Sequence, residues 1–139
     1  DNLQLDIGMS YGEATLTEDA ENLGNSGDNL PGSSDFNASV GMEYRFNIAG
    51  YDAFTRADYT YISEYYNNIA SNGQAAGGYS QINLKAGIIV NALELDLFVK
   101  NVTNADDLTW VESTLGGFGA RRAYRLRPRT LGLNLAYRF

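Results

Sequence analysis

The sequence predicts an all-β protein, and more closely an antiparallel, up-and-down transmembrane β-barrel segment of about six long strands. Three observations support this fold class. Apolar and polar residues alternate over six stretches of about ten residues, which is the period of a β-strand and not of a helix. Long and short connections alternate between these stretches. Aromatic residues gather near both ends of the apolar stripes, as they do at the two interfaces of a bilayer.

The first three stripes lie before residue 62. The first is LQLDIGMSY, the second is FNASVGMEYRF from Phe36, and the third is YDAFTRADYTY from Tyr51. The third stripe is less regular, because Phe54 falls among its polar positions. Globular strands usually have ~5–6 residues, whereas a tilted membrane strand needs ~9–11. The lengths of the stripes therefore favour strands that cross a membrane.

The last three stripes occupy residues 80–88, 93–99 and 131–139. The final stripe places Leu131, Leu133, Leu135, Tyr137 and Phe139 on one face. Short connections join the second stripe to the third at 47–50, and the fourth to the fifth near Asn91. Long polar connections occupy 17–34, 63–78 and 104–128. This order predicts hairpins with short turns at one end of the barrel and elaborated loops at the other.

Aromatic residues are expected to form two girdles on the apolar face, one at each end of the strands. The girdle at the short turns would contain Tyr44, Phe46, Tyr51, Tyr137 and Phe139, and the girdle at the long loops Tyr11, Tyr59, Tyr61 and Tyr79. The opposite face carries Arg56, Asp58, Lys85, Glu94, Asp96 and Lys100, which suits a wet lumen wall. A soluble β-sandwich is the alternative, since its inner faces also alternate.

Composition excludes several classes of protein. Seventeen acidic residues against ten basic ones give a net charge of -7, which argues against a nucleic-acid partner. Cysteine and histidine are absent, and with them the commonest metal ligands and the commonest general base. The sequence also has no glycine-rich phosphate cradle and no serine in an elbow motif. We therefore expect no catalytic residues, no cofactor and no metal site, and a protein that is not an enzyme.

The closing segment RPRTLGLNLAYRF resembles the last strand of TonB-dependent outer-membrane receptors. Five earlier segments resemble the same family in the same order: LDIGMSYGEATL, LPGSSDFNASVGMEYRF, ADYTYISEYY, YSQINLKAGI and LFVKNVTNADD. The resemblance implies that residues 1–139 are the C-terminal portion of a 22-stranded receptor barrel in the outer membrane of a Gram-negative bacterium. It also implies that the Tyr-x-Phe ending belongs to a signal for the barrel-assembly machinery, formed by Leu133, Leu135, Tyr137 and Phe139.

Such receptors also have a plug domain and a TonB box, and we expect neither of them, nor a signal peptide, in this chain. Six strands alone would leave two open edges in hydrocarbon, so the expected neighbours are the remaining barrel strands and the plug. The implied function is uptake of a ferric siderophore or another scarce nutrient, energised by TonB through the missing N-terminal part. The alternatives are a passive porin-like channel or structural barrel piece, and a soluble carbohydrate-binding sandwich.

The last long loop supplies most of the candidate contacts, since five of the ten basic residues fall between positions 121 and 129. Trp110, Arg121, Arg122 and Tyr124 could grip an anionic, aromatic-rich ligand. Arg125, Arg127 and Arg129 share the parity of Leu131. If the last strand continues upwards unbroken through Pro128, these three arginines face outwards to outer-membrane lipid and lipopolysaccharide phosphates.

The other two long loops offer weaker candidates. Tyr65 and Tyr66 in the second loop would suit contact with a ligand, although the simpler interpretation is a flexible outer loop. The first loop, EDAENLGNSGDNLPG, is acidic, and hard oxygen ligands could hold calcium. Its spacing fits no EF-hand template, and solvated loops often have this composition.

Overall fold

The computed structural model describes residues 2–71, 73–112 and 122–139. Six strands form one antiparallel sheet in the order β1-β2-β3-β6-β7-β10. Their bounds are β1 Leu3–Tyr11, β2 Phe36–Ile48, β3 Tyr51–Ile62, β6 Tyr79–Val90, β7 Leu93–Lys100 and β10 Thr130–Tyr137. Two small sheets pair β4 Tyr65–Tyr66 with β5 Ala75–Ala76, and β8 Leu108–Val111 with β9 Ala123–Arg125. A 3-10 turn covers Ile69–Ser71.

The six strands of the large sheet are the six stripes of the sequence, so the predicted all-β, up-and-down arrangement is confirmed. Four strands have nine to thirteen residues, but β7 and β10 have eight each, one fewer than a membrane strand was expected to need. Asn101, with a φ of 52°, ends β7 by turning the chain. Pro128, which has no N–H to donate, lies just before β10.

Strand register places the apolar stripes on one face of the sheet. One row of directly opposed residues crosses all six strands: Leu5, Met42, Ala57, Leu84, Val99 and Leu131. No second layer of the described chain covers this face, and Leu131 is 73% exposed. The large apolar residues therefore do not meet across a dry interior, and the structure contradicts the sandwich alternative. No helix in the described ranges is long and apolar enough to cross a membrane.

The aromatic girdles follow the same register, with one correction. Tyr11 lies opposite Phe36 at the loop end of the sheet, and Tyr137 lies opposite Leu93 at the other end. Tyr79 was assigned to the outward girdle, but it pairs with Ile62 and shares the parity of the inward polar row. The prediction was wrong for this residue because the outward stripe of β6 begins at Ser80.

Both short connections are tight turns, as predicted. Ala49 and Gly50 join β2 to β3 with φ values of 51° and 87°, the pattern of a type I′ turn. The Asn47 side chain supports this turn, since its Oδ1 accepts the Gly50 N–H at 3.0 Å. Asn91 begins the connection from β6 to β7 with a φ of 55°. Because both turns lie at the same end of the sheet, all three long loops lie at the other.

An arginine ties three strands together on the inward face. The Arg56 guanidinium on β3 contacts Asp58 at 2.7 Å and reaches across β2 to Asp6 on β1 at 3.3 Å. It passes over Gly41, where a Cβ atom would lie 2.7 Å from an Arg56 nitrogen. Glycine at this position lets the guanidinium lie close to the backbone of β2, and a larger residue would make the arginine side chain shift. The Glu43 carboxylate lies 3.7 Å from the same guanidinium.

Two phenylalanines fill the space left by inward glycines. Phe54 lies opposite Gly87, and Phe98 lies opposite Gly132, each aromatic ring covering the bare backbone of the neighbouring strand. Lys85 sits beside Phe54, with its ammonium 5.0 Å from the ring centroid, and forms a 2.8 Å ion pair with Asp96. The inward wall is thus a packed layer of aromatic and charged side chains.

The assignment of faces predicts unequal effects for two neighbouring substitutions. Leu135→Arg puts a charge on the outward face and should be destabilising, by less than the ~2–4 kcal/mol that arginine costs at mid-depth, because Leu135 shares its row with Phe46 of the short-turn girdle. Asn134→Arg, one residue away on the inward face, should have a far smaller effect. Denaturant titration of the protein folded in lipid vesicles measures both. Equal destabilisation by the two arginines would show that the faces are assigned wrongly.

Candidate functional site

The long connections fold into one layer at the end of the sheet opposite the short turns. This loop layer comprises the first loop (12–35), the second loop (63–78) and the described parts of the third loop (101–112 and 122–129). The Gly32 N–H of the first loop donates to the Tyr66 carbonyl at 2.8 Å, and the Gly77 N–H donates to the Leu108 carbonyl at 2.9 Å. The Asn67 side chain also donates to the Val111 carbonyl, at 2.8 Å. Backbone hydrogen bonds therefore link all three loops.

Two predicted ligand-binding residues meet inside this layer. The Tyr65 and Trp110 rings have centroids 6.5 Å apart and planes inclined at 31°. The Tyr65 hydroxyl donates to the Thr109 carbonyl, and burial raises the pKa of this tyrosine. Ala76 and Val111 nearby are each 3% exposed. The Tyr65–Trp110 pair is therefore part of a small core that orders the second and third loops, and the second loop is a packed hairpin rather than a free connection.

The other candidates in the loops are more accessible. Tyr66 donates its hydroxyl to Glu64 at 3.0 Å, and this hydrogen bond raises the pKa of Tyr66. Tyr124 on β9 is 43% exposed and donates to Glu112 at 3.3 Å. Arg122, directly before β9, is also exposed, and its carbonyl accepts the Glu112 N–H at 2.8 Å. Arg122 and Tyr124 thus lie close together on an exposed part of the third loop.

Arg121, the remaining ligand-binding candidate, lies outside the described residues. Its neighbour Arg122 is the first described residue after that gap, so the basic group predicted from the sequence can be followed only from this position onwards.

The three arginines expected to face lipid do not continue the last strand. Residues 126–129 belong to no strand, and Arg125 belongs to the small β8–β9 sheet. The condition of an unbroken strand is therefore not met, because β10 begins only at Thr130, two residues after Pro128. Arg125 forms a 3.1 Å ion pair with Asp106, and the Arg129 guanidinium donates to the Val102 carbonyl at 3.3 Å.

Asn101 organises the base of the third loop, a role that sequence reasoning missed. It is 1% exposed, and its side-chain amide donates to the carbonyls of Ala105 and Arg127 at 2.8 and 2.9 Å. Its Oδ1 accepts the Ala105 N–H at 2.9 Å, while its own N–H donates to Asn83 Oδ1 at 2.9 Å. The available signal was an asparagine where β7 ends, because this residue type tolerates the left-handed backbone and bonds nearby main chain.

The carboxylates of the first loop are used in local turns. Asp28 accepts the Asn25 N–H at 2.7 Å, and Asp19 accepts the Ser26 N–H at 2.8 Å. An isolated bridge pairs Thr15 with Asn29 across the loop. Within the part of the chain that the structure describes, no three acidic side chains gather in a way that could hold a metal ion.

Comparison with known proteins gives one match. The family model described as "TonB dependent receptor-like, beta-barrel" matches residues 2–104. The chain belongs to this family. The match covers strands β1 to β7 and ends at the base of the third loop, so the place of β10 in the TonB-dependent receptor barrel rests on its pairing with β7. The family consists of outer-membrane receptors that transport rather than catalyse. No curated protein and no solved structure matches the chain.

Proposed function

We propose that this chain forms barrel wall and outer loops of a receptor that takes up a scarce nutrient, such as a ferric siderophore, with energy delivered by TonB. One observation carries the proposal: a single sheet with an apolar outer face and a charged inner face bears an ordered loop layer at one end only. That polarity suits a wall that separates lipid from an aqueous lumen and presents its loops to a ligand outside the cell.

The free edges of the sheet support the proposal that these strands belong to a larger barrel. Neither β1 nor β10 has a partner on its outer side among the described residues, and an unpaired edge in hydrocarbon costs several kcal/mol for each exposed polar group. In the proposed 22-stranded receptor of a Gram-negative bacterium, residues 1–139 are the C-terminal portion of the barrel. Further strands pair with both edges, a plug domain fills the lumen, and TonB acts through that N-terminal part.

Ligand contact is proposed for the exposed side of the third loop. Arg122 presents a guanidinium that can form bidentate hydrogen bonds with carboxylate or catecholate oxygens, and Tyr124 adds an aromatic face beside it. Trp110 lies opposite Tyr124 in the pairing of β8 with β9, and its contact with Tyr65 holds the second loop against β8. Tyr66 and Arg121 extend the proposed contact surface.

Uptake of iron-55 chelates tests this function directly. Cells that produce the receptor should accumulate at least one of a catecholate and a hydroxamate chelate about tenfold above cells that lack it. Deletion of TonB should abolish the gain. Arg122→Ala should raise the KM for that chelate severalfold, whereas Arg138→Ala, at the short-turn end, should not. Accumulation that persists without TonB would identify a passive channel instead.

The three lower arginines, Arg125, Arg127 and Arg129, are proposed to contact lipopolysaccharide phosphates at the outer rim of the barrel. All three are exposed residues of the loop layer, and Arg125 keeps 54% of its side chain exposed beside Asp106. Mass spectrometry of co-purified lipid should show less lipopolysaccharide after Arg125→Ala and Arg127→Ala. Arg138→Ala is the matched control at the other rim. Unchanged lipopolysaccharide in both loop variants would refute the contact.

The closing strand is proposed to carry the signal for the barrel-assembly machinery, in Leu133, Leu135, Tyr137 and Phe139. All four side chains are exposed, so they remain available to a partner that reads the end of the chain. Phe139→Ser should reduce the amount of folded receptor in the outer membrane, measured by its heat-modifiable mobility on a gel. Phe139→Trp keeps a terminal aromatic ring and should assemble normally. Normal assembly of the serine variant would argue against the signal.

A further inference from the structure

The outward face of the sheet contains a groove of about 440 Å³. Its centre is formed by three small residues on the two middle strands, Thr55 and Ala57 on β3 and Ala86 on β6. Larger side chains border it, namely Met42, Tyr44, Leu84, Leu97 and Val99. The groove exists because Thr55, Ala57 and Ala86 fall next to one another in the register and larger side chains surround them.

The position of the groove restricts what can fill it. Its residues form two neighbouring rows of the register, one through Met42 and Ala57 and the other through Tyr44 and Thr55. Apolar rows continue on both sides, with Val40 towards the loops and Phe46 towards the short turns. The groove is therefore continuous with the face that meets the bilayer in this receptor family. A molecule that enters it must be soluble in hydrocarbon.

The width of the groove indicates that an acyl chain can enter it and that a helix of a protein partner cannot. Met42 on β2 and Leu84 on β6 flank Ala57 on β3, and they lie about 10 Å apart because neighbouring strands are ~4.8 Å apart. A helix with its side chains is about 10–12 Å across and is too wide to enter. Arg56, Lys85 and Phe98 also line the groove, but they belong to the inward row, where the Arg56 and Lys85 side chains pair with Asp58 and Asp96.

We propose that this groove is a binding site for one acyl chain of a membrane lipid. The acyl chain lies over Thr55, Ala57 and Ala86, between the larger residues of β2 and β7. A flat lipid-facing wall would offer no such recess. This lipid stays bound longer than the other lipids around the barrel, because apolar groups surround its acyl chain on several sides instead of one. This inference rests on the orientation of the sheet in the membrane and not on the nutrient.

Filling the groove tests the site. The probe is deuterated dipalmitoylphosphatidylethanolamine, supplied in nanodiscs that hold the full-length receptor. After release into mild detergent, native mass spectrometry should find one retained lipid on most molecules of the unaltered protein. Ala57→Leu combined with Ala86→Leu should reduce that retained fraction at least fivefold. Ala136→Leu makes the same change on the inward face and should retain lipid normally.

Controls keep the result interpretable. Heat-modifiable gel mobility identifies folded receptor, and Ala86→Leu alone, a smaller change, should give an intermediate loss of lipid. Equal lipid retention by the filled and unaltered proteins would overturn the proposal. So would loss of a co-purifying protein at constant lipid, since that result would assign the groove to a protein partner. Iron uptake by the filled receptor, measured separately, should stay unchanged, so this test does not depend on the nature of the nutrient.

Discussion

The constraint on which the rest of the structure depends is the parity of strand pairing. Side chains alternate between the two faces of a strand, so a slip of one residue between any two strands would send every leucine of one strand to the wrong side. All five pairings of the large sheet place outward residues opposite outward residues, from Leu3 opposite Tyr44 to Leu135 opposite Leu95. A wall with one apolar face and one charged face is the direct result, and membrane residence and a wet lumen both require it.

Most charged side chains on the inward face lie beside a side chain of opposite charge. The Arg56 guanidinium contacts carboxylates on three strands. Lys85 forms an ion pair with Asp96, which is 5% exposed. Phe54 lies beside Lys85 and Phe98 beside Lys100, and the two rings cover Gly87 and Gly132 on the neighbouring strands. Partly buried charges of this kind are costly unless paired, so the network holds the wall in one conformation as well as making it polar. Because these charged side chains all lie on the inward face, the outward face of the described strands carries no charge.

The aromatic residues of the loop layer have two different roles. Tyr65 and Trp110 are partly buried against each other and hold two loops together, whereas Arg122 and Tyr124 remain on the surface. Asn101 fixes the point from which the third loop leaves the sheet, since four hydrogen bonds converge on its main chain and side chain. An ordered layer of this kind can present a surface to a ligand at a lower entropic cost than free loops can.

The sequence by itself determined the fold class, the six strands, the two faces and the end that bears the loops. These features follow from local rules: a period of two, and turn residues such as Asn47, Gly50 and Asn91. Only the tertiary structure decided which side chains meet. Four features depend on register or on packing between distant segments: the Tyr65–Trp110 contact, the passage of Arg56 over Gly41, the groove beside Ala57 and Ala86, and the irregular segment 126–129 before β10. No local pattern encodes those distances, because each is set by several strands at once.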